Sequence, residues 1–408
     1  MKDILKQLSS SQTWEEFYQY KIERRQLNKS ETQQLRSFIA EQRYLNIIKD
    51  LRFSYPIKKQ LSKIDSKKKR TVYSYTKDET WVLKLLAYLL YDYDSKLSGN
   101  CYSFRRNINA SHAFERIKKM KDVDNKYVLK LDIHDYFNSI DTNQLLEMLK
   151  DIIEDEKLYG FFEYLLNQDK CIFEDELIEE KRGTMAGVPL ASFFANFYLI
   201  DLDRYYEKLN IPYFRYSDDM IIFFDDEKQL DNNFIYIKDF LNKKGLDLNM
   251  DKYHVSKPGE PWEFLGFSYF KGKIDLSDVT IEKMKGKIRR KSRKLYASRK
   301  KKGLSFEKAA KAMINSFDHK FYDFKGDNDF TWIRFYFPLI NCTDGLHEID
   351  KHMVMYLRYL YNGHHNKANY KVTYEQLKKL GYTPLVAEYY NWKKENHELY
   401  LQNKNNKK

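Results

Sequence analysis

The sequence predicts an α+β protein, a sheet backed by helices in the middle of the chain with helical segments on either side of it. Three observations carry this expectation. Short apolar runs, "YVLKLDI", "MIIFF" and "EFLGFSYF", recur between Lys126 and Phe270 and alternate with helical stretches such as "PLASFFANFYLIDLDRYYEKL", as in a sheet covered by helices. Cap-like signals precede helical patterns in the first fifty residues. After Ile274 the chain turns strongly basic while keeping helical spacing.

Taken in chain order, "TWEEF" offers Thr13 as a helix cap with Glu16 three residues on, and "SETQQLRSFI" repeats the device with Ser30 and Gln33. Residues 1–50 therefore read as a helical N-terminal extension. In residues 51–125, "RTVYSY" alternates like a strand and Trp81 to Leu90 has the spacing of a buried helix. Residues 126–275 hold the strand-rich part, with an insertion at about 142–182. In residues 276–408, Ile281, Met284, Ile288 and Leu295 form a helical stripe, while twelve of the twenty residues from Lys283 to Lys302 are Lys or Arg. The rest is aromatic-rich and helical up to a polar tail, "LQNKNNKK", expected to fray.

A chain of 408 residues has material for two or three packed substructures. The net charge of +13, from 72 Lys+Arg against 59 Asp+Glu, favours a polyanion, and nucleic acid is the leading partner. Only three cysteines occur, none in a CxxC pair, so neither a disulfide framework nor a thiolate zinc site is expected and a reducing cytoplasm fits. The nine histidines contain no HExxH, and His364 with His365 reads as solvated loop. No apolar run approaches the roughly 20 residues that span a bilayer, and the first residues lack a signal-peptide core. The expectation is a cytoplasmic protein with no membrane partner.

The stretch "YFRYSDDMIIFFDDE" sets Asp218 and Asp219 inside an aromatic and aliphatic run, which predicts a hairpin whose tight turn carries both acids. A second acid, Asp132 in "YVLKLDIHDYFNSID", follows another strand-like run. If Asp132 and Asp218 meet, two charges about 4 Å apart repel by about 4 kcal/mol at an effective dielectric near 20. Hard divalent cations held by oxygen ligands are the usual compensation, and two Mg²⁺ ions suit an in-line phosphoryl transfer.

These motifs resemble those of the reverse transcriptases, or RNA-directed DNA polymerases, of bacterial type. The YxDD box reads "YSDD", the upstream acid box "KLDIHDYFNSID", the G-x-P box "RGTMAGVPLASFFANFYL", and the LNxxK and FLGF boxes "LDLNMDKYHV" and "WEFLGFSY". The resemblance covers about Lys126 to Phe270, and more weakly reaches back to about Ile57. It implies a right-hand polymerase fold with fingers at 51–125, an antiparallel palm at 126–275 and a helical thumb and C-terminal region at 276–408. It further implies an enzyme that uses dNTPs and an RNA template to make a DNA product.

Carried over by residue, Asp132, Asp218 and Asp219 are the implied ligands of two Mg²⁺ ions, assisted by the backbone carbonyl of Ile133. Phe137 falls where the family places a ring that clashes with a 2′-hydroxyl, and Lys252 is an implied proton donor to pyrophosphate. Lys68, Arg70 and Arg105 are implied triphosphate and template contacts. Phe264, Leu265, Gly266 and Phe267 correspond to the turn that grips the primer, and the basic helix from about Thr280 to Gly303, with Arg289, Arg290 and Arg293, would lie along the duplex. One departure stands out: many relatives have Gln before the glycine of the G-x-P box, where this chain has Ala186, followed by Gly187, Val188 and Pro189. That places nucleotide positioning and template strictness in question.

No VTG triplet or HNH signature is present, and the architecture is similar to unknown-group and abortive-infection enzymes of antiphage defence, some of which use a dedicated non-coding RNA. Untemplated or protein-primed synthesis, an RNA polymerase with a related palm, and a maturase-like RNA-binding protein are the competing expectations.

Overall fold

The computed structural model describes residues 3–24, 26–62, 69–180, 182–322 and 331–405. It divides into two compact units, Met1–Glu260 and Pro261–Lys408.

The first unit opens with four helices, Ile4–Leu8, Ser11–Glu23, Lys29–Ala40 and Tyr44–Asp50. Their caps lie upstream of the expected ones. Ser10 Oγ accepts from Thr13 N at 3.3 Å, and Asn28 with Glu31 forms a reciprocal capping box. A capping residue must stand in extended backbone outside the helix. Ser10 and Asn28 do so, whereas Thr13 is buried within the first turn. Trp14, Phe17, Leu35 and Phe38 enter the same apolar core as Leu83, Leu85 and Leu86, so these helices are part of the unit's interior.

Eight strands follow in this unit: β1 (Ile57–Ser62), β2 (Lys69–Ser74), β3 (Tyr127–Asp132), β4 (Lys170–Phe173), β5 (Glu176–Glu179), β6 (Tyr213–Tyr216), β7 (Asp219–Phe224) and β8 (His254–Ser256). They form two sheets. The first has the order β2-β1-β4-β5, so a hairpin from the insertion completes a sheet begun more than a hundred residues earlier. Between β2 and β3, the helix Lys77–Leu89 starts at a Thr76–Glu79 capping box and buries Trp81, Val82, Leu85 and Leu86, as its spacing predicts.

The second sheet has the order β6-β7-β3-β8, antiparallel throughout. Its middle strands, "YVLKLD" and "DMIIFF", are buried along most of their length. Such continuous apolar runs belong to strands covered on both faces, and the helix Glu227–Lys243 packs on both of them. The three cysteines are unpaired. Among the described residues no helix is long and apolar enough to cross a membrane.

The second unit begins with a three-stranded sheet, β9 (Trp262–Phe264), β10 (Phe267–Phe270) and β11 (Lys273–Leu276). Ser277 caps the basic helix Asp278–Lys302, which stops at Gly303 in the left-handed region. Ile281, Met284 and Ile288 are buried, while Leu295 is half-buried. The helix packs on Asp344–Asn362, and Arg299 Nη1 donates to Leu360 O at 2.8 Å and Tyr361 O at 2.6 Å. A cation thereby satisfies the open carbonyls at that helix's C-terminus. His364 and His365 are exposed, as expected, although the His365 ring also sits 4.9 Å from Tyr356. The last helix spans Leu385–Asn405, so the tail continues in helix to Asn405, and residues 406–408 lie outside the described residues.

Candidate active site

The β3–β7 ladder sets the geometry of the acids. Its register runs from Tyr127↔Phe224 to Asp132↔Asp219, which brings the last residue of one strand opposite the first of the other. Directly opposed Cα atoms lie about 4.5–5.5 Å apart with side chains on one face. The β6–β7 hairpin closes at Tyr216↔Asp219, so Ser217 and Asp218 form its two-residue turn. Asp219 is therefore a strand residue and only Asp218 lies in the turn. Ser217 takes φ 62, as at the first position of a type II′ turn, where glycine is usual. The turn is held from three sides: Ser217 N donates to Ser103 Oγ at 2.9 Å, Arg215 Nη1 to Ser217 O at 3.2 Å, and Ile133 N to Asp218 O at 3.2 Å.

Beneath the turn lies a charge pair that the motif reading did not include. Arg215 and Asp203 both have side chains with 0% exposure. Arg215 Nε and Nη2 donate to Asp203 Oδ1 at 2.7 Å and Oδ2 at 2.5 Å, Nη2 also reaches Asn196 O at 3.2 Å, and Tyr213 Oη donates to Asp203 Oδ1 at 3.1 Å. Burial pushes the Asp203 carboxyl up and the guanidinium opposes it. The signal was present in the sequence, because a lone cation within "YFRY" must find a buried partner.

Asp132 is gripped by the LNxxK box. Asn249 Nδ2 donates to Asp132 Oδ1 at 2.9 Å, Lys252 Nζ lies 2.5 Å from Oδ2, and Asn249 N donates to Asp132 O at 2.8 Å. Asn249 is a further residue to which the motifs gave no role. Burial raises Asp218, with the Asp132 charge adding to it. Asp219 is pushed up to about 7, chiefly by burial and also by Asp132 and Asp218, against the pull of Lys130 and Lys252.

Phe137, Gly183, Ala186 and Gly187 lie together in the first unit. Gly183 takes φ +53, and a Cβ there would meet Phe137 O at 2.5 Å. Thr184 N donates to Phe137 O at 2.8 Å, Ala186 N to Asn138 Oδ1 at 3.1 Å, and Tyr73 N to Ala186 O at 2.7 Å. Gly187 takes φ +100, where a Cβ would stand 2.9 Å from Tyr73 O. The G-x-P loop is thus pinned between β2 and the segment after β3. Phe137 is half-buried, its ring 6.2 Å from Phe104, which lies 6.2 Å from Tyr216 beside the acidic turn.

The basic candidates divide. Arg70 is exposed on β2, and Lys68 lies outside the described residues. Arg105 differs from the expectation: Nη1 donates to Ser98 O at 2.9 Å and Cys101 O at 3.1 Å, and Nη2 to Asp94 O at 2.9 Å. Its guanidinium is engaged in tying down its own loop. An arginine in a loop rich in open carbonyls meets those acceptors first.

The chain matches the reverse transcriptase (RNA-dependent DNA polymerase) family over residues 57–269, just over half its length. It belongs to that family. The chain has the α+β polymerase fold of that family. Similar solved structures include apo telomerase from Candida tropicalis truncated from its C-terminal domain, at 14% identity and TM-score 0.45, with 55% of each chain covered. Telomerase from Candida albicans in complex with a TWJ fragment of telomeric RNA is 11% identical at TM-score 0.44, covering 87% of this chain and 70% of that one. The reverse transcriptase spans just over half the length of the first of these. No curated protein matches it.

Members of the family generally use divalent metal ions, and the acids of this reverse transcriptase fit one. The donors are all carboxylate oxygens, which suit a hard cation. Asp219 Oδ1 is buried with no hydrogen-bond partner, an acceptor that calls for a cation or a donor. Asp132 has both oxygens turned to Asn249 and Lys252. Among the described residues, the three donors within 4.8 Å of one another are Asp275, Cys342 and Asp344; the three candidate acids are not that close together. Asp275 there already accepts from Leu276 N and Gly345 N at the start of a helix.

The remaining candidates of the reverse transcriptase lie in the second unit. Phe264 and Phe267 pair across a hairpin whose turn, Leu265 and Gly266, has φ 50 and 88, both positive as in a type I′ turn. A Cβ on Gly266 would meet Tyr336 Oη at 2.9 Å and Thr280 Oγ1 at 3.0 Å. Here the glycine admits the protein's own side chains. On the basic helix, Arg289 and Arg293 are exposed and Arg290 half-exposed.

Proposed function

We propose that this reverse transcriptase is an RNA-directed DNA polymerase, adding deoxynucleotides to a primer 3′-hydroxyl, with Asp132, Asp218 and Asp219 holding two Mg²⁺ ions. The observation that carries this reading is the ladder register, which sets Asp132 opposite Asp219 and ties Asp218 to Ile133. When bound, the ions supply activation of the hydroxyl and charge compensation at the leaving pyrophosphate. The chain's own residues do the rest. The Ser217–Asp218 turn, braced by Arg215 and Ser103, fixes where the two adjacent acids project. Lys252 Nζ lies 2.5 Å from Asp132 Oδ2, within the same cluster that would meet the pyrophosphate. The Phe137 ring excludes a 2′-hydroxyl, and the Gly183–Gly187 loop offers backbone and a methyl group where relatives offer an amide.

Fingers at 51–125, palm at 126–275 and thumb with C-terminal region at 276–408 are part of this reading, as are a triphosphate contact at Arg70 and duplex contacts at Arg289, Arg290 and Arg293. An RNA template and dNTPs follow from family membership. The finer reading, a bacterial antiphage enzyme with a dedicated non-coding RNA, rests on the motif resemblance alone.

The test is extension of a primed RNA with dNTPs and Mg²⁺. Asp219→Asn, which keeps the shape, is expected to lose roughly a thousandfold or more in rate, several kcal/mol of transition-state stabilisation. A variant as active as the wild type would refute the metal assignment. Ala186 favours untemplated or protein-primed synthesis as the second reading; product sequences unrelated to the template, or DNA that stays on denatured protein, would establish it.

A further inference from the structure

The second unit contains a cavity of about 830 Å³ that none of the polymerase motifs uses. One wall is a single face of the helix Asp344–Asn362, with Lys351, Met355 and Arg358 at helical spacing; the opposite wall is the Lys367–Lys371 turn, with Tyr374 beyond it. Its volume falls in the range that encloses a small organic ligand.

Three features of the lining converge on one ligand chemistry. First, it offers a stacking surface: Tyr370 is 69% exposed, and the Arg358 guanidinium lies 5.1 Å from its ring centroid. A large aromatic left in water beside a cation suits a base, because any base has a π face. Second, the cations Lys351, Arg358 and Lys367 line the cavity against one acid, Asp350. Asp350 is already engaged, accepting from Tyr382 Oη at 3.0 Å, Leu385 N at 2.8 Å and Val386 N at 3.1 Å. The remaining positive charge suits phosphate.

Third, one of the lining residues carries an unmet acceptor. Asn369 lines it and is 6% exposed, its Nδ2 donates to His364 O at 2.5 Å, and its Oδ1 has no hydrogen-bond partner. The Nδ2 bond fixes which way the amide points, so the open atom is an acceptor. A buried acceptor without a protein donor is costly and calls for a donor from outside the chain, which a ligand N–H can supply. The edges of nucleobases carry such groups.

We infer that this cavity binds an unpaired nucleotide of a single-stranded nucleic acid, its base on Tyr370, a base N–H on Asn369 Oδ1 and flanking phosphates on Lys351 and Lys367. The inference rests on the polymerase reading only for the presence of nucleic acid, since the cavity geometry stands by itself. It adds to the enzyme a holding point for a strand that is not in the duplex.

The test uses the full chain and dye-labelled ten-nucleotide adenylate strands, one of RNA and one of DNA, followed by fluorescence anisotropy. Tyr370→Ala removes an exposed ring and its contact with Arg358 and is expected to weaken binding roughly tenfold, the measured worth of a stacked base. Extension of a primed duplex is expected to stay within about twofold of wild type. A loss on both strands identifies the base and phosphates as what is read; a loss on RNA alone adds the 2′-hydroxyl. Unchanged affinity for both strands in Tyr370→Ala and in Lys351→Gln/Lys367→Gln overturns the inference. A labelled hexaglutamate peptide that alone depends on Tyr370 overturns it in favour of an acidic peptide. If wild type extends no primer yet the Tyr370 and lysine effects stand, the polymerase reading fails and the cavity remains; if extension stands and neither variant changes affinity, only the cavity fails.

Discussion

At the scale of single residues, the most consequential side chains are those that hold the acids. Arg215 and Asp203 have no access to water, so removing one strands the other. Arg215→Met is expected to cost about 3–5 kcal/mol, measured by urea unfolding, and Arg215→Met/Asp203→Leu to recover much of it, because unpaired buried charge dominates the loss. Lys252→Ala is predicted to slow incorporation by roughly 10² or more if its proton reaches the pyrophosphate; a mere surface lysine would leave single-turnover rates unchanged. Phe137→Val is expected to raise the ratio of rNTP to dNTP incorporation at least about tenfold, as a steric gate of that size allows, read from competing extension reactions. Three acids could be picked out from "KLDIHD" and "YSDD" because charges inside apolar runs need an explanation. Asn249 and Asn196 were not legible in that way: an amide has no sequence signature until the fold gives it a partner, Asp132 for Asn249 and, for Asn196 Nδ2, Ser103 O at 2.8 Å.

At the scale of elements, the strands declared themselves better than their ends did. "YVLKLD" and "DMIIFF" are apolar enough to be buried strands, but only the hydrogen-bonding register shows that Asp132 faces Asp219 and that the turn contains one acid instead of two. Helix bodies in the first fifty residues were equally plain, yet their starts were misplaced, because several Ser, Thr and Asn residues compete for each cap and burial of Thr13 decides the first case. The FLGF segment is an apolar run whose turn only the family resemblance implied; it is a hairpin, with Leu265 and Gly266 both at positive φ. The basic helix kept its predicted stripe as far as Ile288, with Leu295 only half-buried. Replacing Arg289, Arg290 and Arg293 by Gln is predicted to lower the slope of log K against log salt for a primer–template duplex by about 2 to 3, one phosphate contact each. An unchanged slope would remove these residues from the duplex path.

For the molecule as a whole, each unit has its own interior. The N-terminal helices share the core of the first unit through Trp14, which packs 5.0 Å from Tyr44 and donates to Leu8 O at 2.7 Å. Trp14→Ala is therefore expected to cost about 3–5 kcal/mol and to lower the melting temperature of the first unit, although it touches none of the acids. Composition announced a large core and a polyanion partner, but not that a hairpin from residues 170–179 would join β1 and β2. Pairing across such separations depends on three-dimensional packing that no local pattern encodes. The seam at Tyr73 and Ala186, a peptide hydrogen bond at 2.7 Å over a glycine with no room for a methyl group, couples two distant stretches of chain into one mechanical body. A methyl group introduced at Gly187 would press on Tyr73 O, so a change made in the loop would be carried into the strand beside it.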